Sequence, residues 1–172
     1  MANDPDLEFS DWGPPLRIEI DHAPVWLFAQ SLLDDNPIWA SPAAARAAGL
    51  PGIPTPPTFP FVMTHGAARP DLQPPGSVGV LMPAPLDGGF DLPADGMAEV
   101  GLFLHGEQQF EYHRTPLVGD VLEGRMRVSR PVSKPGRRGE MRLTYLETEW
   151  RDVTTGDPVV TSRIISVYLP GG

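Results

Sequence analysis

Residues 56–66 read Pro56-Pro57-Thr58-Phe59-Pro60-Phe61-Val62-Met63-Thr64-His65-Gly66, and this stretch decides how the rest of the chain is arranged. Thr58 can cap a helix, Pro60 then falls in the first turn where a missing N–H costs little, and Phe59, Phe61, Val62 and Met63 follow without a polar stripe. A helix apolar on every side has no face to offer water and must be enclosed. The segments from residue 99 onward supply the enclosure, because their apolar positions recur at every second residue, as in long strands. The expectation is an α+β fold in which an antiparallel sheet of about five strands wraps a central apolar helix.

Toward the N-terminus, Leu16, Ile18 and Ile20 alternate with Arg17 and Glu19, as in a short strand with one wet face. Asp21 can cap a following helix with Pro24 in its first turn, where Val25, Phe28, Ala29 and Leu32 fall at i, i+3, i+4 and i+7. Asp34-Asp35-Asn36-Pro37 stops that helix. A second, small helix is expected from Ser41, with Pro42 at N1 and Gly49 as the residue past its end. The proline-rich run from Leu50 to Pro57 is then an extended connection into the apolar helix.

Toward the C-terminus, Ala67 to Met97 shows neither period and reads as a long functional loop, in which Val78, Val80, Leu81 and Met82 can make a short edge strand or line an apolar mouth. Four strands follow. Val100, Leu102, Leu104, Phe110 and Tyr112 share one parity in the first, with Gly106 as a bulge; Leu122, Met126 and Val128 mark the second. Met141, Leu143 and Tyr145 mark the third, and Val159 to Leu169 is apolar on both parities and so central. Ser133 to Gly139 and Thr154 to Pro158 are turn-rich and imply hairpins.

The 172 residues suit one domain with one substantial core. Twenty-two prolines and eighteen glycines belong in loops, since 41% hydrophobic residues and four Trp are incompatible with wholesale disorder. A formal net charge of −9 opposes binding to nucleic acid or an anionic membrane. Charge is uneven all the same: Arg114, Arg125, Arg127, Arg130, Lys134, Arg137 and Arg138 are opposed between 114 and 138 only by Asp120 and Glu123, giving +5 there and −14 elsewhere. With no cysteine, disulfides, thiolate metal sites and cysteine nucleophiles are excluded. Met1 to Ser10 is acidic and without an apolar core, and no apolar run approaches membrane-spanning length, so a cytoplasmic protein is expected.

The four histidines, His22, His65, His105 and His113, lack paired metal-ligand spacing, and neither a nucleophile elbow nor a phosphate-cradling glycine loop is present. What remains is Asp34-Asp35-Asn36-Pro37-Ile38-Trp39, then Pro56-Pro57-Thr58-Phe59, then Leu104-His105-Gly106-Glu107-Gln108 with Pro116, Gly119 and Asp120. In this order, from about Ile18 to Tyr168, the segments resemble the MaoC-like hydratase and dehydratase family, in its N-terminal, FAS1-like dehydratase branch.

The resemblance implies a hot-dog fold and (R)-specific hydration of trans-2-enoyl thioesters, or dehydration of 3-hydroxyacyl thioesters, carried on coenzyme A or acyl carrier protein. It implies no metal or redox cofactor. Active members carry an Asp-x-Asn-Pro-x-His loop whose carboxylate and imidazole hold a water, remove its proton and return one to the α-carbon. Amides at the start of the central helix, here around Thr58 and Phe59, steady the enolate-like oxygen.

Asp34, Asn36 and Pro37 match that loop, but Trp39 stands where the histidine belongs, and indole transfers no proton near neutral pH. Two readings follow. Either His105, with His65 behind it, replaces the imidazole and works with Asp34, or the chain is a binding half whose catalytic dyad comes from a separate MaoC-like subunit. Asn36, Trp39, Thr58 and Phe59 are the expected substrate-binding residues; in the second reading Trp39 and the 67–97 segment shape an acyl cavity, and the hot-dog dimer, a homodimer otherwise, is a heterodimer with the catalytic subunit. The basic 114–138 segment would attract coenzyme A phosphates or an acidic carrier protein. A hot-dog thioesterase and a non-catalytic acyl-thioester binding protein are the other classes open to this sequence.

Overall fold

The structure is a computed structural model that describes residues 7–64, 101–137 and 139–170. In chain order the elements are strand β1 (Leu16–Glu19), helix α1 (His22–Ser31), a single 3₁₀ turn (Pro37–Trp39), helices α2 (Pro42–Ala47) and α3 (Phe59–Thr64), and strands β2 (Gly101–Tyr112), β3 (Val121–Val128), β4 (Val132–Gly136), β5 (Gly139–Asp152) and β6 (Pro158–Pro170). The strands form one antiparallel sheet in the order β1-β3-β5-β6-β2, with β4 beside the first half of β5. His65 and the expected 67–97 loop, including its strand around Val78 to Met82, lie outside the described residues.

Helix α3 is enclosed as its sequence requires: Phe59 and Met63 are fully buried in one cluster with Ile18, Val25, Leu122, Trp150 and Val160. Each such side chain contributes about 1.5–3 kcal/mol by leaving water. Trp150 fills the middle of the concave face over Gly124, where a Cβ would lie 2.6 Å from the indole. Alternation from Trp150 and its partner Val160 puts Thr148, Leu146, Thr144 and Arg142 on this same concave face.

Met141, Leu143 and Tyr145 keep the expected period, but on the convex side. There Leu143, Tyr145 and Ile165 form a second cluster with Leu7 and Phe9 of the N-terminal arm. The arm is pinned by hydrogen bonds from Ser10 N–H to Val128 O and from Gly13 N–H to Met126 O, both 2.8 Å. The wet outer face of these strands is thus partly a second core, made by residues more than a hundred positions away.

Several local expectations are corrected. Leu102 and Leu104 do not share a face with Phe110 and Tyr112, because the register slips between His105 and Glu107. Both expected hairpins are present, β4–β5 and β5–β6, but Ser133 to Gly136 is already strand; Pro135 is tolerated because, among the described residues, β4 pairs only with β5. Asp21 makes no side-chain cap on α1, and Leu32 lies past the helix, exposed. Helix α1 is stopped one step before Asp34 by Leu33, which adopts φ 57° while Leu33 N–H and Asp34 N–H return to Gln30 O and Ala29 O. The second helix is as expected: Ser41 Oγ accepts from Ala44 N–H at 3.3 Å and Gly49 takes φ 83° past its end. β6, apolar on both parities, is an interior strand between β5 and β2.

The proline-rich connection is held in place by the turn after β2. Thr55 N–H donates to Pro116 O and Val118 N–H to Ile53 O, both at 2.9 Å. Asp120 Oδ2 accepts from Leu117 N–H at 2.9 Å and from Arg114 at 2.5 Å, and Arg114 also reaches Asp152 at 2.7 Å. Pro116, Gly119 and Asp120 therefore set the point from which α3 enters the sheet.

Candidate functional site

The motif loop closes on itself by short-range hydrogen bonds. Asp34 Oδ1 accepts from Asn36 N–H at 3.0 Å, and Asn36 Oδ1 accepts from Ile38 N–H at 3.1 Å, an arrangement that aspartate and asparagine favour in turns. Asn36 thereby caps the 3₁₀ turn that ends on Trp39. The Trp39 side chain is buried, with 8% of the residue exposed, and its indole N–H has no partner among the described residues. His22, in the first turn of α1, donates from Nε2 to Trp39 O at 2.9 Å; since a carbonyl only accepts, Nε2 carries the proton.

The second part of the site lies where α3 meets β2. Gly106 sits in the bulge between His105 and Glu107, in a space where a Cβ would lie 2.7 Å from Val167 Cγ2. The extra residue changes the phase of the strand. Before it His105 lies opposite Ser166, and after it Gln108 lies opposite Ile164, so both face the concave side. His105 does not share the wet face of Glu107, Gln109 and Glu111, although one unbroken alternation would put it there. Its ring meets Phe61 of α3 edge to face, with centroids 5.7 Å apart. Gln108 donates from Nε2 to Ser162 Oγ at 3.3 Å and Arg163 O at 3.2 Å, and its buried Oε1 has no partner among the described residues.

At the start of α3, Phe59 N–H donates to Pro56 O at 2.9 Å and its buried ring packs edge to face on Phe28. Of the two amides expected to face a ligand, Phe59's is thus engaged, whereas Thr58 is exposed and its N–H has no partner among the described residues. Tyr112 OH donates to Pro57 O, tying β2 to the same turn, and burial pushes its phenol up to about 12. Asp34 and His105 make no ion pair or hydrogen bond with one another among the described residues, so the expected pair is not assembled as a direct contact.

Most of the basic 114–138 segment is neutralised internally. Arg114 holds Asp120 and Asp152, Arg125 holds Glu123, Arg127 holds Glu147, and Arg130 holds Glu8. Sequence reasoning missed the concave-face residues Gln108, Ser166 and Arg142 because their facing depends on the bulge and on strand register. The glycine at 106 was the one available signal. Among the described residues no three histidine, aspartate or glutamate side chains group as metal ligands, and no helix is long and apolar enough to cross a membrane.

An antiparallel sheet curved around one short apolar helix defines the hot-dog class of proteins. The family model described as "FAS1-like, dehydratase domain region" matches residues 11–162, and the chain belongs to this family. A "UPF0336 protein" of Thermobifida fusca (strain YX) is 29% identical over 148 residues, 86% of this chain and 82% of the relative. A chain of the ChsH1-ChsH2 complex from Mycobacterium tuberculosis superposes with TM-score 0.71 at 23% identity, over 94% of this chain and 86% of that one. A chain of the HadBC (3R-hydroxyacyl-ACP dehydratase) complex from the same organism gives 0.59 at 17% identity, over 97% and 99%.

Proposed function

We propose that the chain is one subunit of an (R)-specific hydratase or dehydratase acting on enoyl or 3-hydroxyacyl thioesters of coenzyme A or acyl carrier protein, and that a MaoC-like partner supplies the proton-transfer dyad. Trp39 carries this reading. A buried indole occupies the histidine's position in the motif, and neither its ring nor the backbone carbonyl held by His22 can move a proton near neutral pH. Support also comes from the two Mycobacterium tuberculosis relatives, each solved within a complex of two differently named proteins.

In this reading Asp34 and Asn36 shape the turn, Trp39 would bound the acyl cavity from the side of α1 and α2, against which its turn packs, and the Thr58 N–H, without a partner among the described residues, would donate to the thioester oxygen. Coexpression and pull-down, followed by crotonyl-CoA hydration with and without the captured subunit, tests it. Turnover is expected only from the assembled pair, and enzyme-like rates from the purified chain alone overturn the reading.

A second reading, a self-sufficient hydratase using Asp34 and His105, draws on the bulge at Gly106 that turns the imidazole toward α3. It requires the free chain to hydrate the same thioester and to lose that activity in His105→Ala.

A further inference from the structure

We propose that Arg142 is an anion-binding residue of the concave face and takes a phosphate of a phosphopantetheine-type thiol carrier. The identity of the carrier rests on the function proposed above; the anion site rests on the residues around Arg142 itself.

Strand register sets its position. His105 lies opposite Ser166, Ser166 opposite Thr144, and one step further along the same face Tyr168 lies opposite Arg142. Two residues of strand are about 7 Å, so Arg142 stands one side-chain row beyond His105, toward the end of the sheet. The guanidinium carbon is 5.8 Å from the Tyr168 ring centroid, and the side chain is exposed. Stacking on a ring fixes the guanidinium plane and leaves its edge donors free to grip two oxygens at once.

Arg127 has the same construction with the anion already in place. It lies over Phe9 and Trp12, at 4.4 Å and 4.5 Å, and donates from Nε to Glu147 Oε1 at 2.8 Å. Arg142 has the aromatic support but no ion pair among the described residues. The acid closest in sequence on its face, Glu140, instead accepts from Ser133 Oγ at 2.6 Å. In a chain of net charge −9 a phosphate is repelled overall, so a local cation without a carboxylate is what would hold one. Lys134 and Arg137 of the 114–138 segment are likewise without an ion pair among the described residues, but Arg142, just outside it, adds the aromatic support that they lack there.

The test measures calorimetric binding of coenzyme A, of pantetheine (which carries no phosphate) and of holo acyl carrier protein to the full chain and its captured partner. Wild type is compared with Arg142→Ala, with Arg142→Lys, which keeps the charge without the fork, and with Arg125→Ala as a control. Arg142→Ala is expected to lower the preference for coenzyme A over pantetheine about tenfold, as losing a charge-assisted bond implies, with the lysine variant between. A loss confined to the carrier protein supports the site and identifies the carrier as its source. Equal loss for both small ligands, no loss in Arg142→Ala, or no wild-type binding of coenzyme A or carrier overturns it. Arg142-dependent binding without any thioester hydration leaves the anion site standing and removes the hydratase reading alone.

Discussion

The rings of Phe61 and His105 meet edge to face, centroids 5.7 Å apart, and join helix α3 to β2, the strand at the end of the sheet order. The contact depends on Gly106, whose bulge turns His105 to the concave side. If the partner subunit transfers the proton, His105 only lines the site. His105→Ala in the assembled pair is then expected to leave kcat within a factor of about three, ~0.7 kcal/mol. Steady-state hydration kinetics check this, since a catalytic imidazole implies a loss of about 10²–10⁴.

Gly124→Ala should be markedly destabilising, and more so than Gly106→Ala. A Cβ at Gly124 would lie 2.6–2.8 Å from three atoms of the fully buried Trp150 ring, which has nowhere to turn. At Gly106 the nearest atom is a methyl of the half-buried Val167, at 2.7 Å. Overpacking of this kind costs about 1–3 kcal/mol, and urea denaturation of both variants gives the ranking.

Glu147 predicts an acid limb in the stability curve. Burial pushes its carboxyl up, but hydrogen bonds from Arg163 and Arg127 outweigh that and hold it below the ordinary carboxylate range. A depressed folded pKa adds stability that is complete above the unfolded value of about 4.3 and is lost as pH falls through the folded value. Wild type should therefore weaken below about pH 5, whereas Glu147→Gln shows a shallower slope there. At neutral pH the variant is expected to be about 1–3 kcal/mol less stable, a figure discounted for the partial exposure of both arginines. Urea denaturation at several pH values reads both effects.

Leu33→Gly should stabilise the isolated chain. Leu33 holds φ 57° with 92% of its surface exposed, so it pays the left-handed penalty and gains no burial within the chain. Glycine at the residue past a helix end removes roughly 1 kcal/mol of strain. Thermal unfolding of the free chain should show a rise in Tm, and an unchanged or lower Tm contradicts the strain argument.

Much of the fold was legible because short-range rules governed it. Ser41, Pro42 and Gly49 bracket α2 by capping chemistry alone. The Phe59–Met63 run has no polar face to misread, and its enclosure by the later strands followed from that. Illegible were the phase change at Gly106, the strand made by Ser133 to Gly136, and the left-handed Leu33, which a leucine gives no reason to expect. The bulge is set by pairing with the distant β6, whereas β4 pairs within its own hairpin and Leu33 is held against its local preference by the bonds that close the last turn of α1.

The order of amino acids by itself determined the inner helix, the alternating strands and the motif turn whose imidazole is replaced by Trp39, because these depend on side-chain period and on residue identity. Only the tertiary structure decided which groups share a face. His105, Ser166, Thr144, Tyr168 and Arg142 come together through the register of three strands and one bulge. Register is a property of pairing between distant segments, and a shift of one residue turns every side chain to the opposite side.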